Sequence, residues 1–316
     1  MMHKIHSAIV TGGTGVTGNA LIRYLLKNEV QVTALVRPKS IRRKYLPDEN
    51  LLFNIIYCAM EDYHSSVQLL NNKSYDVFFH LAWEGSMGSH KIDNRNNFKL
   101  QSQNIIYAID AVELCHAISC PVFIMTGSQA EYGRKDNIIT EKTEKKPENG
   151  YGMAKLCAES MTRLLCKSYG IQHIWPILFS VYGPFDSTQS LVDITIKKLL
   201  QGEEVAYTSG EQEWDYLYSY DAAKALMLLA QKGKDGETYN VANGRTYALR
   251  DYIRAIYHIV APDKTPKLGE IPYNSQQLMF LRADIAKLKK DTNFVPDYSF
   301  RQGINEIYES ILFSVK

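Results

Sequence analysis

The sequence predicts an α/β fold, a doubly wound parallel sheet joined to a smaller mixed α/β carboxy-terminal lobe. Apolar, β-prone runs alternate with helical patterns through the first half of the 316-residue chain. A glycine-rich loop follows the first of these runs, and the alternation loosens after Gly183-Pro184. Near-continuous hydrophobic strands separated by helices need cover on both faces, which a parallel sheet between two helical layers provides.

Strands are expected over residues 7–11, 31–36, 54–58, 77–82, 122–126 and 173–179. Between them, residues 18–28, 95–117 and 154–169 carry helical patterns. Beyond residue 184 the reading is a helix at 191–201, a strand at 204–208, a helix at 221–231 and a strand at 238–242. From Ala248 onward the chain reads as helical and interrupted by proline. No internal repeat or low-complexity tract breaks the pattern.

Composition narrows the function classes. Hydrophobic residues make up 45% of the chain, yet no run approaches the eighteen or so uninterrupted apolar residues of a membrane helix. The start, Met1-Met2-His3-Lys4-Ile5-His6, does not resemble a signal peptide, so a cytoplasmic location is expected. Five cysteines (Cys58, Cys115, Cys120, Cys157, Cys166) lack Cys-x-x-Cys spacing, which predicts reduced thiols and no metal site. With a net charge of +2 and interspersed signs, neither nucleic acid nor a membrane surface is an expected partner.

The loop Thr11-Gly12-Gly13-Thr14-Gly15-Val16-Thr17-Gly18 lies between the first strand and the first helix, the context of a dinucleotide fingerprint. Glycines there permit a tight turn, close approach of a pyrophosphate to backbone N–H groups, and close packing of helix on strand. Gly12, Thr14, Gly15, Val16 and Gly18 are therefore cofactor-binding candidates. The second strand ends in Val36-Arg37 where an NAD site would carry an acid. Arg37 favours the 2′-phosphate of NADP(H), with NAD(H) as the alternative and Lys39, Ser40, Arg42 and Arg43 as possible reinforcement. The expected division is a Rossmann-type dinucleotide domain of residues 1–180, rejoined by about 215–243, and a substrate lobe of 181–214 and 244–316.

Tyr151 and Lys155 are four residues apart on a helix and share a face. An ammonium one turn from a phenol favours the phenolate, which makes tyrosine a usable acid or base. Upstream stands Thr126-Gly127-Ser128-Gln129-Ala130-Glu131-Tyr132-Gly133. The glycine loop, this segment and the Tyr-Lys pair together resemble the extended short-chain dehydrogenase/reductase family, over nearly the whole chain.

That resemblance implies roles. Ser128 would hydrogen-bond the reacting oxygen, Tyr151 would transfer the proton, and Lys155 would bind the nicotinamide ribose while depressing the Tyr151 pKa. Asn97 matches, less securely, an asparagine of a proton relay. Leu81, Ala82 and Trp83, in His80-Leu81-Ala82-Trp83, fit the strand end that passes the cofactor, as does Thr126, although the family more often has a small residue at Trp83. Ser180, in Phe179-Ser180-Val181-Tyr182-Gly183-Pro184, fits a loop over nicotinamide and sugar. Trp214 opens a segment similar to the family's Arg-Asp-Tyr motif but replaces its arginine, which leaves Arg282 as the candidate cation for substrate phosphates. With Ser128 and Gln129, these three complete the expected substrate contacts.

The family's 4,6-dehydratases carry an Asp-Glu pair where this chain has Gln129 and Ala130, and Glu131 is one residue out of register. Neither Gln129 nor Ala130 exchanges protons, so redox chemistry at one sugar carbon remains. The resemblance is strongest to nucleotide-sugar 4-ketoreductases, which implies NADPH-dependent reduction of a 4-keto-6-deoxy sugar for deoxysugar or surface-polysaccharide synthesis. A 4-epimerase holding NAD tightly is the alternative, and a non-catalytic NADP-binding protein a third. The family also implies a nucleotide-sugar substrate and a homodimer built on helices 95–117 and 154–169.

Overall fold

The computed structural model describes residues 4–70, 73–86, 93–186, 190–274 and 277–314, so Met1 to His3 of the amino-terminal reading lie outside the described residues. In the first half, β1 (Ser7–Thr11), α1 (Val16–Lys27), β2 (Gln31–Val36), β3 (Phe53–Tyr57), the short α2 (Val67–Leu70) and β4 (Val77–His80) lead to α3 (Phe98–Ala117). There follow β5 (Val122–Met125), β6 (Gly127–Ser128), α4 (Gly150–Tyr169), β7 (Gln172–Leu178) and β8 (Val181–Tyr182). The remainder is α5 (Leu191–Leu200), β9 (Glu213–Trp214), β10 (Leu217–Tyr218), α6 (Ser219–Lys232), β11 (Glu237–Val241) and β12 (Tyr247–Ala248). It closes with α7 (Leu249–Val260), β13 (Phe280–Leu281), α8 (Ala286–Thr292) and α9 (Phe300–Ser314).

The main sheet runs β11-β7-β5-β4-β1-β2-β3, with β6 also paired to β7, and all its pairs are parallel. Strand order reverses between β1 and β4, which neighbour each other although β2 and β3 intervene in sequence. At such a switch point the connections leave in opposite directions and open a crevice at the carboxyl ends of the strands. Helix α1 packs on α6, and α3 on α4, covering the two faces. The strands between them are apolar because both sides are buried: Ala8, Ile9, Val10, Val77, Phe78, Phe79, Phe123 and Ile124 are closed to solvent.

A second apolar cluster joins Val192 and Ile196 of α5, Tyr252, Ile253 and Ile256 of α7, and Ile304 and Ile307 of α9, with Tyr182 and Tyr218. Two expectations for this half change. Residues 204–208 form no strand; Ala206 makes one bridge to Lys267. The stretch after Ala248 is not purely helical, because Phe280–Leu281 runs parallel to Glu213–Trp214 while Tyr247–Ala248 pairs with it antiparallel. Strands of two residues carry no periodic signal, so only partners distant in sequence define them.

Buried histidines tie stability to pH. His173, stacked on Trp175 with its Nε2 3.0 Å from Thr162 Oγ1, is pushed down to about 4 by burial, with Arg163 adding to the effect. Below the ordinary histidine value of about 6.5 the unfolded chain takes a proton that the folded chain refuses. This contribution is therefore lost as pH falls from about 6.5 toward 4. His173→Gln should lose roughly 2 kcal/mol less stability than the native chain between pH 7 and pH 4.5, read by urea unfolding at both values. Equal losses in the two proteins would refute the assignment.

Candidate active site

The site is built at the switch point. Thr11 Oγ1, at the end of β1, accepts the backbone N–H groups of Leu81 and Ala82 at 3.2 Å each and bonds His80 Nδ1 at 2.9 Å. The ends of β1 and β4 are thereby held together below the crevice. His80 is kept neutral, its pKa lowered to about 3 by burial and by Lys155. Gly12 follows with φ of +69°, and a Cβ there would lie 2.6 Å from Ala82 N and Leu81 C. A Cβ on Gly18 would strike the Gly12 carbonyl. Both positions thus require glycine, one for backbone conformation and the other for contact.

Gly15 precedes α1 without a side-chain cap, and the helix has no acid in its first turn. Its leading N–H groups and dipole suit a phosphate. Above them lies a cleft of about 580 Å³ lined by Gly12, Thr14, Arg37, Ala82, Trp83 and Glu61, among others. Crowded glycines, a bare helix terminus and a cleft of this size fit a dinucleotide. Leu81 borders the same strand end, and Val16 starts the helix. Arg37 lines the cleft as expected, but Arg42 is already used: its Nε donates to the Thr14 carbonyl at 2.9 Å and its Nη2 to the Phe185 carbonyl. Arg43 pairs with Glu49 at 3.7 Å. Glu61, in the short turn after β3, is a cleft residue that sequence reasoning missed.

Tyr151 and Lys155 are both buried in the first turns of α4, whose amino end is capped by Asn149. Ser128 lies beside the Tyr151 phenol and lowers its pKa, which brings together two of the expected catalytic groups. Lys155 points elsewhere: its Nζ donates to the Thr126 carbonyl at 2.8 Å and sits 3.9 Å from the centre of the Trp83 ring. Burial lowers the Lys155 pKa to about 7, opposed by Glu131. Burial raises the Tyr151 pKa, while the Ser128 hydrogen bond and Arg95 lower it and Glu131 raises it. Arg95, whose Cζ is 4.9 Å from the Tyr151 ring centroid, is a second cation beside the phenol.

Trp83 accounts for its own departure from the family pattern. Its Nε1 donates to Gln101 Oε1 at 2.8 Å, its face receives Lys155, and its edge meets Tyr151 at 6.1 Å and 80°. Asn97, the expected relay asparagine, is exposed and caps α3 by accepting the Leu100 N–H at 3.2 Å. The buried amides are Gln101 and Asn104, which hold the backbone of Gly85, Asn94 and Glu84.

Residues 129–131 form a 3₁₀ turn rather than an extended segment. Glu131 folds back beneath it, accepting the Ser128 N–H at 2.8 Å and pairing with Lys145 at 2.9 Å, and it is closed to solvent. Lys145 also binds Glu159. Gln129 is half-buried at the start of the turn and Ala130 is buried. Among these three positions none presents a proton-exchanging group to the Tyr151 side.

In the smaller lobe Ser180 has φ of +24°, and its hydroxyl accepts from Trp214 Nε1 at 2.7 Å. A non-glycine residue with positive φ stores strain that binding loops often carry. Arg282 is not an open cation: it pairs with Glu213 at 2.6 Å and lies over Phe280, with its Nε buried and unpartnered among the described residues.

Residues 8–242 match the model of the NAD dependent epimerase/dehydratase family. A Bacillus subtilis protein named as an uncharacterized UDP-glucose epimerase is 26% identical, covering 96% of this chain and 98% of its own. The dTDP-glucose 4,6-dehydratase of Salmonella typhimurium is 23% identical, covering 95% and 91%. Among solved structures, the UDP-glucose 4-epimerase of Thermotoga maritima superposes with a TM-score of 0.86 at 24% identity, covering 98% of this chain and 100% of that one. These similarities point to epimerases and dehydratases and not specifically to the 4-ketoreductases that the sequence motifs suggest. Gly12→Ala should weaken NAD and NADP binding at least tenfold by calorimetry while the chain still folds, because its Cβ meets the Leu81-Ala82 peptide. Undiminished binding would count against the loop as the cofactor cradle.

Proposed function

This chain belongs to the NAD-dependent epimerase/dehydratase family, of the extended short-chain dehydrogenase/reductase type, whose members are NAD(P)-dependent enzymes that modify nucleotide sugars. We propose that it catalyses reversible redox chemistry at C4 of a nucleotide-linked hexose, as a 4-epimerase. The observation that carries this reading is that Tyr151, beside Ser128, faces no second proton-exchanging side chain from residues 129–131: Gln129 and Ala130 carry none and Glu131 is locked beneath. Elimination of water across two carbons needs a second acid and base, whereas C4 oxidation and re-reduction needs one group working in both directions. The relatives named as a UDP-glucose epimerase and a UDP-glucose 4-epimerase support the same choice.

A bound nicotinamide dinucleotide would accept a hydride from the sugar carbon and return it. Gly12, Thr14, Gly15, Val16 and Gly18 would hold its pyrophosphate, Arg37 and Glu61 its adenosine side, and Ala82, Trp83, Thr126 and Lys155 its inner end. Ser128 orients the substrate oxygen, and Tyr151 takes the C4 hydroxyl proton and gives it back. Ser180, Gln129 and Trp214 are the proposed sugar contacts. Arg282 would reach a diphosphate by exchanging its bond to Glu213 for phosphate oxygens, as a planar guanidinium can.

Reduction of a 4-keto sugar with NADPH is the second reading, favoured by two observations. No acid follows β2, where Arg37 lines the cleft, and burial keeps Tyr151 a phenol poised to donate. The five cysteines are free thiols, in keeping with a reducing, cytoplasmic setting. Among the described residues no helix is long and apolar enough to cross a membrane.

The outer faces of α3 and α4 expose Ile106, Met153, Met161 and Leu164, the last at 70%. A second copy packing there would cover them in a homodimer. Light scattering should give twice the 36.0 kDa chain mass, and Leu164→Glu should give the monomer; a monomeric native protein would remove this part of the proposal.

Denatured protein should release NAD, and the native enzyme should interconvert a UDP-hexose and its C4 epimer without added cofactor. Consumption of NADPH with 4-keto-6-deoxy sugars and no epimerisation would select the reductase instead. Tyr151→Phe should lower kcat about 10² to 10⁴-fold with dinucleotide binding retained, and unchanged turnover would dismiss the mechanism.

A further inference from the structure

The Ser128 hydroxyl is held by the turn that follows it. Its Oγ accepts the Ala130 N–H at 3.2 Å, while Glu131 reaches back to accept the Ser128 N–H at 2.8 Å, so the two residues form a reciprocal capping box. A hydroxyl has one proton to donate. With the oxygen engaged by the turn, the direction of that proton depends on where the turn sits.

The turn is anchored through the Glu131 carboxylate. Trp175 Nε1 donates to it at 3.3 Å from β7, and a Cβ on Gly127 would strike both that indole nitrogen and Glu131 Oε1. The residue before Ser128 is thus glycine because the carboxylate and the indole fill the space beside it. A carboxylate closed to solvent needs a cation. Burial raises the Glu131 pKa, Lys145 lowers it, and Glu159 raises it.

Lys145 supplies that charge from the loop between Tyr132 and α4. Its Nζ lies 2.9 Å from Glu131 Oε2 and also bonds Glu159 of α4, each carboxylate 14 residues away in sequence. Backbone contacts fix the loop: the Lys146 N–H donates to the Tyr132 carbonyl at 3.3 Å, and a Cβ on Gly133 would strike the Lys146 carbonyl. The Lys145 side chain is 16% exposed against 66% for Lys146, so its charge is turned inward. Among the described residues Glu159 also pairs with Arg163, whereas Glu131 has no second cation.

We propose that Lys145 is a positioning residue for the C4 chemistry: by holding Glu131 as a carboxylate beneath the turn, it fixes the Ser128 hydroxyl against the reacting oxygen. The inference rests on the assignment of Ser128 as the group that holds that oxygen. Without its cation the buried Glu131 carboxylate takes a proton or turns toward water, and either change loosens the Ser128 N–H. Lys145 does not line the dinucleotide cleft, so its loss should leave cofactor binding intact.

The first test needs no substrate, so its failure is distinguishable from failure of the C4 chemistry. The full chain is made by cell-free synthesis with ¹³C at glycine carbonyls and ¹⁵N at serine. This marks the Gly-Ser pairs 85–86, 88–89 and 127–128, and the signal missing in Ser128→Ala belongs to the Ser128 N–H. In Lys145→Met its hydrogen exchange should quicken roughly tenfold beyond what the fall in global stability, read by urea unfolding, accounts for, as loss of a bond to a charged acceptor implies. Lys145→Arg, which keeps the charge, should restore much of the protection. Should Lys145→Met not fold, its combination with Glu131→Gln leaves no unpaired buried charge and is read in the same way.

With an active substrate in hand, Lys145→Met should lower kcat roughly 10- to 10²-fold and leave KM within about twofold, as a displaced orienting group would. In a Ser128→Ala background the same substitution should lower kcat no further, because the two residues act as one unit. A merely structural role would lower kcat alike in both backgrounds. Ser128 exchange no faster than the stability change requires, or an equal fall of kcat in the two backgrounds, would overturn the proposal.

Discussion

The close approach of β1 to β4 at the switch point is the constraint on which the rest of this structure depends. Thr11 has one hydroxyl, and it serves two backbone N–H groups of β4's continuation and the ring of His80. With the two strand ends fixed, no room is left at Gly12 for a side chain, and α1 must start against the Gly12 carbonyl, which excludes a side chain at Gly18 as well. The same contact sends Ala82 and Trp83 along the cleft wall. The crowded glycine loop and the cleft wall beside it are thus two consequences of one backbone junction.

Burial then decides the chemistry. Tyr151 and Lys155 are both almost closed to solvent, and desolvation shifts each away from its charged form. In such surroundings charge pairs that water would screen become decisive. A buried chain of Glu131, Lys145 and Glu159 runs under the catalytic turn, and Arg163 joins it at Glu159. It anchors the Ser128 backbone while placing negative charge below Tyr151. Arg95, 4.9 Å from the Tyr151 ring centroid, opposes that charge.

The parallel sheet was legible because each of its strands is buried on both faces and reads as an apolar run, and the main helices were legible because their patterns lie between those runs. Boundaries moved by a few residues, as at α3, where capping by Asn97 places the first turn three residues later than the pattern suggests, and at α4, where capping by Asn149 starts the helix at Gly150. The smaller lobe was less legible. Its strands are two residues long and pair across 30 to 70 residues of chain, as Tyr247 with Trp214 and Phe280 with Glu213. Arg282 read as a free cation because nothing local in sequence announces its bond to Glu213.

By itself the sequence determined the doubly wound α/β class and the glycine loop between its first strand and first helix, because each is written in short-range spacing that backbone geometry enforces. It also excluded an acid-base pair at Gln129 and Ala130, since residue type alone settles that. Only the tertiary structure decided which cation faces Tyr151, what Glu131 does, and why Trp83 is tolerated beside Lys155. Those answers depend on groups from separate elements brought within about 5 Å in a medium that does not screen them, and chain spacing carries no record of such distances.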